Sequence, residues 1–318
     1  MTYAPGITEY IERANAALPP DFHTRPVAEQ RTLYDGLNSA LPIDRPAGVE
    51  VRDEWVGHAG RRVPVRAYRP EPRRGRGLII YLRGGGFVLG SLESHDTIVA
   101  ELAANTGAVT LAVDFPRAPE HPFPAAIEEC YAGLCGAVAE ADRLDIDPDR
   151  VCLAGDSSGA NLAVVVCMMA RDRGGPAVAG QALVSPVLDF ARWRTGGEDS
   201  PLLSGDEMEF FTHCYVGGDM ARLEDPHVSP LLHGRFDGLP PAYIWASEQD
   251  SLRVDALAYA DRLREHGTAV ELSMESGFTH ACVRARGLSP AVADAWRRFC
   301  DATGDLLAAQ PSRAGGAA

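Results

Sequence analysis

Short apolar runs of strand length recur along this chain, and helical patterns separate most of them. Leu78 to Leu82, Ala108 to Val113, Val151 to Ala154, Ala182 to Val184 and Ala242 to Ala246 form the series, and Val270 to Met274 closes it. An uninterrupted apolar run of this length suits a strand buried on both faces. Helical patterns lie near Glu93 to Ala104, Pro124 to Ala141, Ser158 to Ala170, Asp255 to His266 and Pro290 to Asp301. Strands that alternate with helices require crossover connections, and hence a mostly parallel sheet with helices on both faces. Val51 to Gly57 and Val63 to Tyr68 alternate like strands but have no helix between them. They are expected to pair as an antiparallel edge, making about eight strands in all.

One of these runs ends in Gly155-Asp156-Ser157-Ser158-Gly159, and the apolar helical stretch from Asn161 to Val166 follows it. A serine on a tight strand-to-helix turn, with glycines two places to either side, fits a nucleophile elbow. The turn leaves no room for side chains at the flanking positions, and the helix N-terminus aims its free N–H groups at the serine. A plain Gly/Ser turn would share the motif but not its context.

A serine hydroxyl needs a base within hydrogen-bond reach and a carboxylate to orient that base. In this kind of fold the partners follow in the order Ser, Asp/Glu, His. His280 lies just past the last strand, and Asp250 just past Tyr243 to Ala246. Glu248 is a second candidate for the acid. Asp255 is a weaker one, because its helical pattern suggests a solvated face. The other histidines, among them His95, read as surface or satisfied core residues. Leu78 to Leu82 runs into Arg83-Gly84-Gly85-Gly86-Phe87. Those glycines let the backbone turn N–H groups into the cleft, where with the Ser158 N–H they would complete an oxyanion hole. A phosphate loop is disfavoured, because the Walker lysine and the dinucleotide spacing are absent.

The 318 residues carry a net charge of −14, which disfavours nucleic acid as a partner. The N-terminal stretch to Pro20 contains Glu9 and Glu12 and no long apolar run, so neither a secretory signal nor a membrane anchor is expected there. Seven cysteines without a Cys-x-x-Cys pair suit reduced thiols and a cytoplasmic location. Residues 190 to about 238 interrupt the strand–helix rhythm but hold Trp193, Phe210, Phe211 and Tyr215. They are expected to form a lid over the strand ends; a surface excursion is the alternative.

Several segments in consistent order resemble the bacterial hormone-sensitive-lipase-like esterases of the α/β-hydrolase superfamily. Arg83 to His95 is similar to the family's His-Gly-Gly-Gly segment, Ala118 to Ala125 to a second family stretch, and Gly155 to Gly159 to its elbow. Ser229-Pro230-Leu231, Gly238 to Pro241 and Asp250-Ser251-Leu252 match later segments. The resemblance implies an α/β-hydrolase fold with a helical cap. Residues 1–45 and 190–238 would form the cap, 46–189 and 239–305 the catalytic domain, and 306–318 a disordered tail. It implies Ser157 as nucleophile, Asp250 as orienting acid, His280 as base, and an oxyanion hole from Gly85, Gly86 and Ser158. The segment from Phe87 to Asp96 is most similar to the acetyl-esterase branch. The implied activity is hydrolysis of short- to medium-chain acyl esters, with a small-molecule ester as partner and no metal or organic cofactor. A monomer or homodimer is expected.

Two departures mark one region. Arg83 stands where the family has histidine, and Asp114-Phe115-Pro116-Arg117 stands where it typically reads Asp-Tyr-Arg-Leu. Arg83 and Phe87 are therefore expected at a remodelled site wall, with Arg83 bracing the glycine loop or contacting a substrate carboxylate. A changed reaction, elimination or acyl transfer, is the alternative that such a wall would allow. A ligand-binding module without catalysis is a third reading.

Overall fold

A computed structural model describes residues 2–232 and 235–309. Eight strands form one sheet: β1 (Val49–His58), β2 (Arg61–Pro70), β3 (Leu78–Leu82), β4 (Val109–Val113), β5 (Val151–Asp156), β6 (Gly180–Val184), β7 (Ala242–Ser247) and β8 (Val270–Glu275). Their order is β1-β2-β4-β3-β5-β6-β7-β8. β2 runs antiparallel to both β1 and β4, and every other pairing is parallel. The helices are α1 (Ile7–Ala17), α2 (Val27–Asp35), α3 (Leu37–Ala40), α4 (Asp96–Thr106), α5 (Ala125–Ala139), α6 (Ala141–Leu144), α7 (Ser158–Asp172), α8 (Gly205–Val216), α9 (Arg253–Glu265) and α10 (Pro290–Ala308).

Side-chain alternation along the central strands feeds two cores. Leu78, Ile80 and Leu82 of β3 join Leu153, Leu183 and Ile244 against α5, α7 and α9. Ile79 and Tyr81 join Cys152, Ala182, Tyr243 and Trp245 against α4, α10 and α1. Strands covered on both faces need apolar residues at every position, which is why these segments read as unbroken runs. All seven cysteines are buried and unpaired. Among the described residues no helix is long and apolar enough to cross a membrane.

Three expectations need correction or extension. The last helix continues to Ala308, into the stretch expected to be a disordered tail; residues 310–318 lie outside the described residues. The insertion 190–238 holds a full helix, α8, whose start carries a capping box between Ser204 and Glu207. Asp255 does not sit on a solvated face. It is 2% exposed, pairs with Arg192 at 2.8 Å, and accepts the N–H groups of Leu188 and Asp189 at 2.7 and 3.0 Å. The first turn of α9 thereby anchors the chain where it leaves β6 for the insertion.

Burial pushes the Asp255 carboxyl up to about 6 against the opposing pull of Arg192 and the two N–H groups. A folded-state value above the ordinary one means that ionisation costs more in the folded chain than in the unfolded one. The Asp255 contribution to stability is therefore largest at acid pH and declines between about pH 4 and 6, by roughly 3 kcal/mol. Urea unfolding of wild type and Asp255→Asn across this window should show the difference moving against wild type as pH rises. A difference independent of pH would contradict this account.

Candidate active site

The β3, β5, β7 and β8 ends converge at the carboxyl edge of the sheet, where open α/β sheets bind ligands. Ser157 follows β5 directly, with φ 52° and ψ −119°. This left-handed conformation is unfavourable for serine and needs support from its surroundings. The flanking glycines make the turn possible by close approach. A Cβ on Gly155 would lie 2.5 Å from the Gly159 carbonyl oxygen, and one on Gly159 would strike the Leu82 and Arg83 backbone. The elbow and the end of β3 are thus in backbone contact.

His280 Nε2 lies 3.1 Å from Ser157 Oγ, and its Nδ1 lies 2.8 Å from Asp250 Oδ2. Asp250 Oδ1 accepts the Leu252 N–H at 2.9 Å, which fixes the carboxylate. With Nδ1–H donated to Asp250, Nε2 is left as the acceptor for the serine hydroxyl. Glu248 does not compete for the imidazole: its Oε2 accepts the Gly277 N–H at 2.7 Å and so holds the His280 loop. Tyr10 of α1 donates its hydroxyl to the Ala281 carbonyl at 2.9 Å, bracing that loop from the other side. Burial pulls the His280 imidazole down, but the Asp250 charge and hydrogen bond outweigh it, leaving the group above its ordinary value.

Gly85 and Gly86 have φ of 119° and 60°, and no other described residue engages their N–H groups. Ser158 is the first residue of α7, so its N–H has no intrahelical partner. All three line one cavity of about 80 Å³ with Ser157 and His280. Leu18, Phe22 and Tyr34 from the N-terminal segment line that cavity, with Leu202, Leu203 and Phe211 from the insertion. Among the described residues no three His, Cys, Asp or Glu side chains gather as a metal-holding group.

A polar network behind the glycine loop was not visible in the sequence reading. Asp156, the residue between Gly155 and Ser157, accepts the Tyr81 hydroxyl at 2.7 Å and the Gly84 N–H at 3.0 Å with Oδ1. Its Oδ2 lies 3.3 Å from His95 Nε2, and Ser94 Oγ lies 2.8 Å from His95 Nδ1. Burial holds His95 below its ordinary value, so the neutral ring donates Nε2–H to Asp156. His95 is thus a satisfied core residue, but one in contact with the elbow. The one available signal was an acidic residue at a position that must turn inward from the elbow.

Arg83 and Phe87 do not line the cavity. Arg83 is 3% exposed and points away from it, toward the loop after β4. It donates to the Val113 and Phe115 carbonyls at 3.0 and 3.2 Å, lies 3.3 Å from the Asp114 carboxylate, and stacks on the Phe115 ring at 4.1 Å. Contact between Arg83 and a substrate carboxylate is therefore corrected to bracing of the glycine loop. Arg117 adds a tie from the same loop, donating to the Gly90 carbonyl at 2.8 Å. The two departures from the family pattern are in contact. Phe87 is buried and stacks on Tyr215, with ring centroids 3.6 Å apart.

A family model for the α/β-hydrolase fold matches residues 79–284. An ethyl acetate hydrolase of Pseudomonas putida is 35% identical over 89% of this chain and 93% of its own length. A carboxylesterase of Mycobacterium tuberculosis is 36% identical over 79% of this chain and 81% of its own. Among solved structures, a hyperthermophilic esterase from Pyrobaculum calidifontis superposes with a TM-score of 0.88 at 29% identity, covering 97% of this chain and all of its own.

Three outcomes are expected. Activity should fall as pH drops through the His280 value, because a protonated imidazole cannot accept the serine proton. The acid limb of kcat/KM should lie above pH 6.5, the ordinary histidine value. Asp250→Asn should lower kcat by about 10⁴. A wild-type limb below 6.5 would contradict the assigned coupling. Arg83→His cannot span both carbonyls and should lower kcat by about tenfold with KM little changed, well short of the ~3 kcal/mol for losing an oxyanion donor. An unchanged kcat would show that the loop holds its shape without Arg83.

Proposed function

The chain belongs to the α/β-hydrolase fold family, and from that premise we propose that it is a serine carboxylesterase acting on short-chain acyl esters. The observation that carries this reading is the continuous hydrogen-bonded line from Asp250 through His280 to Ser157, beside backbone N–H groups that no other described residue engages. Ser157 Oγ attacks the ester carbonyl carbon while His280 Nε2 takes its proton. The carbonyl oxygen becomes an oxyanion facing the Gly85, Gly86 and Ser158 N–H groups. As the tetrahedral species collapses, the C–O bond to the alcohol breaks and His280 returns the proton to the leaving oxygen. Water then attacks the acyl-enzyme, giving its proton to His280, and the acid leaves as Ser157 is reprotonated. Elimination and acyl transfer are not favoured. The remodelled wall that suggested them lies behind the glycine loop, where Arg83 is tied to the Val113 and Phe115 carbonyls at the end of β4 and just beyond it.

Acyl length follows from space. A cavity of about 80 Å³ is far below the roughly 300 Å³ of drug-sized ligand sites. Apolar side chains line most of it, so an acetyl-type group fits best as the acyl half of the ester. Residues 1–45 and 190–238 act together as a cap in this reading, since both supply lining side chains. A cytoplasmic location is proposed on the seven unpaired cysteines, with a monomer or homodimer as the working state.

A series of p-nitrophenyl esters from acetate to decanoate tests the reading. The highest kcat/KM is expected at the short end, with a decline for longer chains. Ser157→Ala should lose about a millionfold in kcat. Activity retained by Ser157→Ala, or a maximum at decanoate, would contradict it.

A further inference from the structure

The cavity at Ser157 opens onto a second, larger one of about 350 Å³, and the two share Leu18, Phe22, Tyr34, Leu202, Leu203, Glu207 and Ala281. An ester whose carbonyl sits at Ser157 extends its longer part into this outer space. Most of the shared wall is apolar. Glu207 is the exception, a carboxylate at the junction of the two cavities.

The α8 cap holds this carboxylate in place without neutralising it. Glu207 Oε2 accepts the Ser204 N–H at 2.9 Å and the Ser204 hydroxyl at 3.0 Å, completing the capping box. Among the described residues no arginine or histidine forms an ion pair with it, and Oε1 has no partner. Arg284 lines the outer cavity, but its guanidinium turns inward to the Ser94 carbonyl at 2.9 Å and lies over the Tyr34 ring at 5.1 Å. Asp206, on the same wall, adds negative charge, and His23, Tyr10 and Tyr34 are the remaining ionisable side chains there. The Glu207 charge also reaches the His280 imidazole, which it helps to raise. An apolar wall strengthens such a field by limiting the water that would screen it.

We propose that Glu207 makes this enzyme selective for esters carrying a cationic group a few atoms from the ester bond, with an amino-alcohol ester as the substrate class, and against esters carrying a carboxylate there. This rests on the serine-esterase reading of the same site. A quaternary or tertiary ammonium on a short apolar stem would place its methylenes on the Leu18, Leu202 and Leu203 wall and its charge beside Glu207.

The test compares three acetates of similar size: 2-(trimethylammonio)ethyl acetate, its neutral isostere 3,3-dimethylbutyl acetate, and 4-acetoxybutanoate. Wild type is expected to hydrolyse the cationic ester with a higher kcat/KM than the anionic one. Glu207→Gln removes the charge but keeps a side chain suited to the capping box. In that variant the cation-to-neutral ratio of kcat/KM should fall by about tenfold, the scale of one close, partly desolvated charge pair. A ratio unchanged by Glu207→Gln would overturn the proposal, as would a wild type that prefers the anionic ester; the wild-type ranking decides the matter even if the variant does not fold. Failure of wild type to hydrolyse the neutral isostere and every other neutral acetate would instead count against the esterase reading itself.

Discussion

The close backbone approach between the elbow and the end of β3 is the constraint on which the rest of the site depends. Gly159, in the first turn of α7, lies so near Leu82 and Arg83 that any side chain there would strike their backbone atoms. This contact brings the Ser157 turn and the glycine loop within reach of one reacting carbon. It also explains why two separate glycine motifs are needed. One lets a helix start against a strand, and the other lets a loop present bare N–H groups to the space above it.

Buried polar chemistry then locks the approach. Asp156 links the elbow to Gly84, and hence to the oxyanion side of the cavity, and Tyr81 and His95 satisfy its remaining acceptors. Burial alone would push the Asp156 carboxyl up; the His95, Tyr81 and Arg284 interactions hold it well below the usual carboxylate range. On the far side Arg83 and Arg117 tie the loop to the segment after β4. The buried Arg83 guanidinium is held by backbone carbonyls, an aromatic face and the Asp114 carboxylate, the kind of partnering that makes a buried charge tolerable.

The strands were legible in the sequence because burial on both faces demands unbroken apolar runs, as in Leu78 to Leu82 and Val151 to Ala154. Ser157 and Asp250 were legible because each lies just after such a run, and His280 because it follows the more exposed last strand, Val270 to Glu275, where the parallel sheet delivers side chains to a common edge. Other features were hidden because they depend on direction and not on type. Asp255 looks like any helix-surface acid, yet it faces two backbone N–H groups at the start of the insertion. Arg83 sits next to the glycine loop in sequence, but its long side chain passes behind the loop instead of into the cavity. The α8 capping box was present as Ser204-x-x-Glu207, and only the fold shows that its glutamate borders the cavity.

The central claim is that Ser157 is activated by the line running through His280 to Asp250. Stoichiometric labelling by a p-nitrophenyl alkylphosphonate, read by mass spectrometry of the digested protein, tests it most directly. The account predicts release of one equivalent of nitrophenolate and a phosphonyl adduct on Ser157, with no adduct in Ser157→Ala and slow labelling in His280→Ala. An adduct on another residue, or labelling of Ser157 at the same rate without His280, would contradict it.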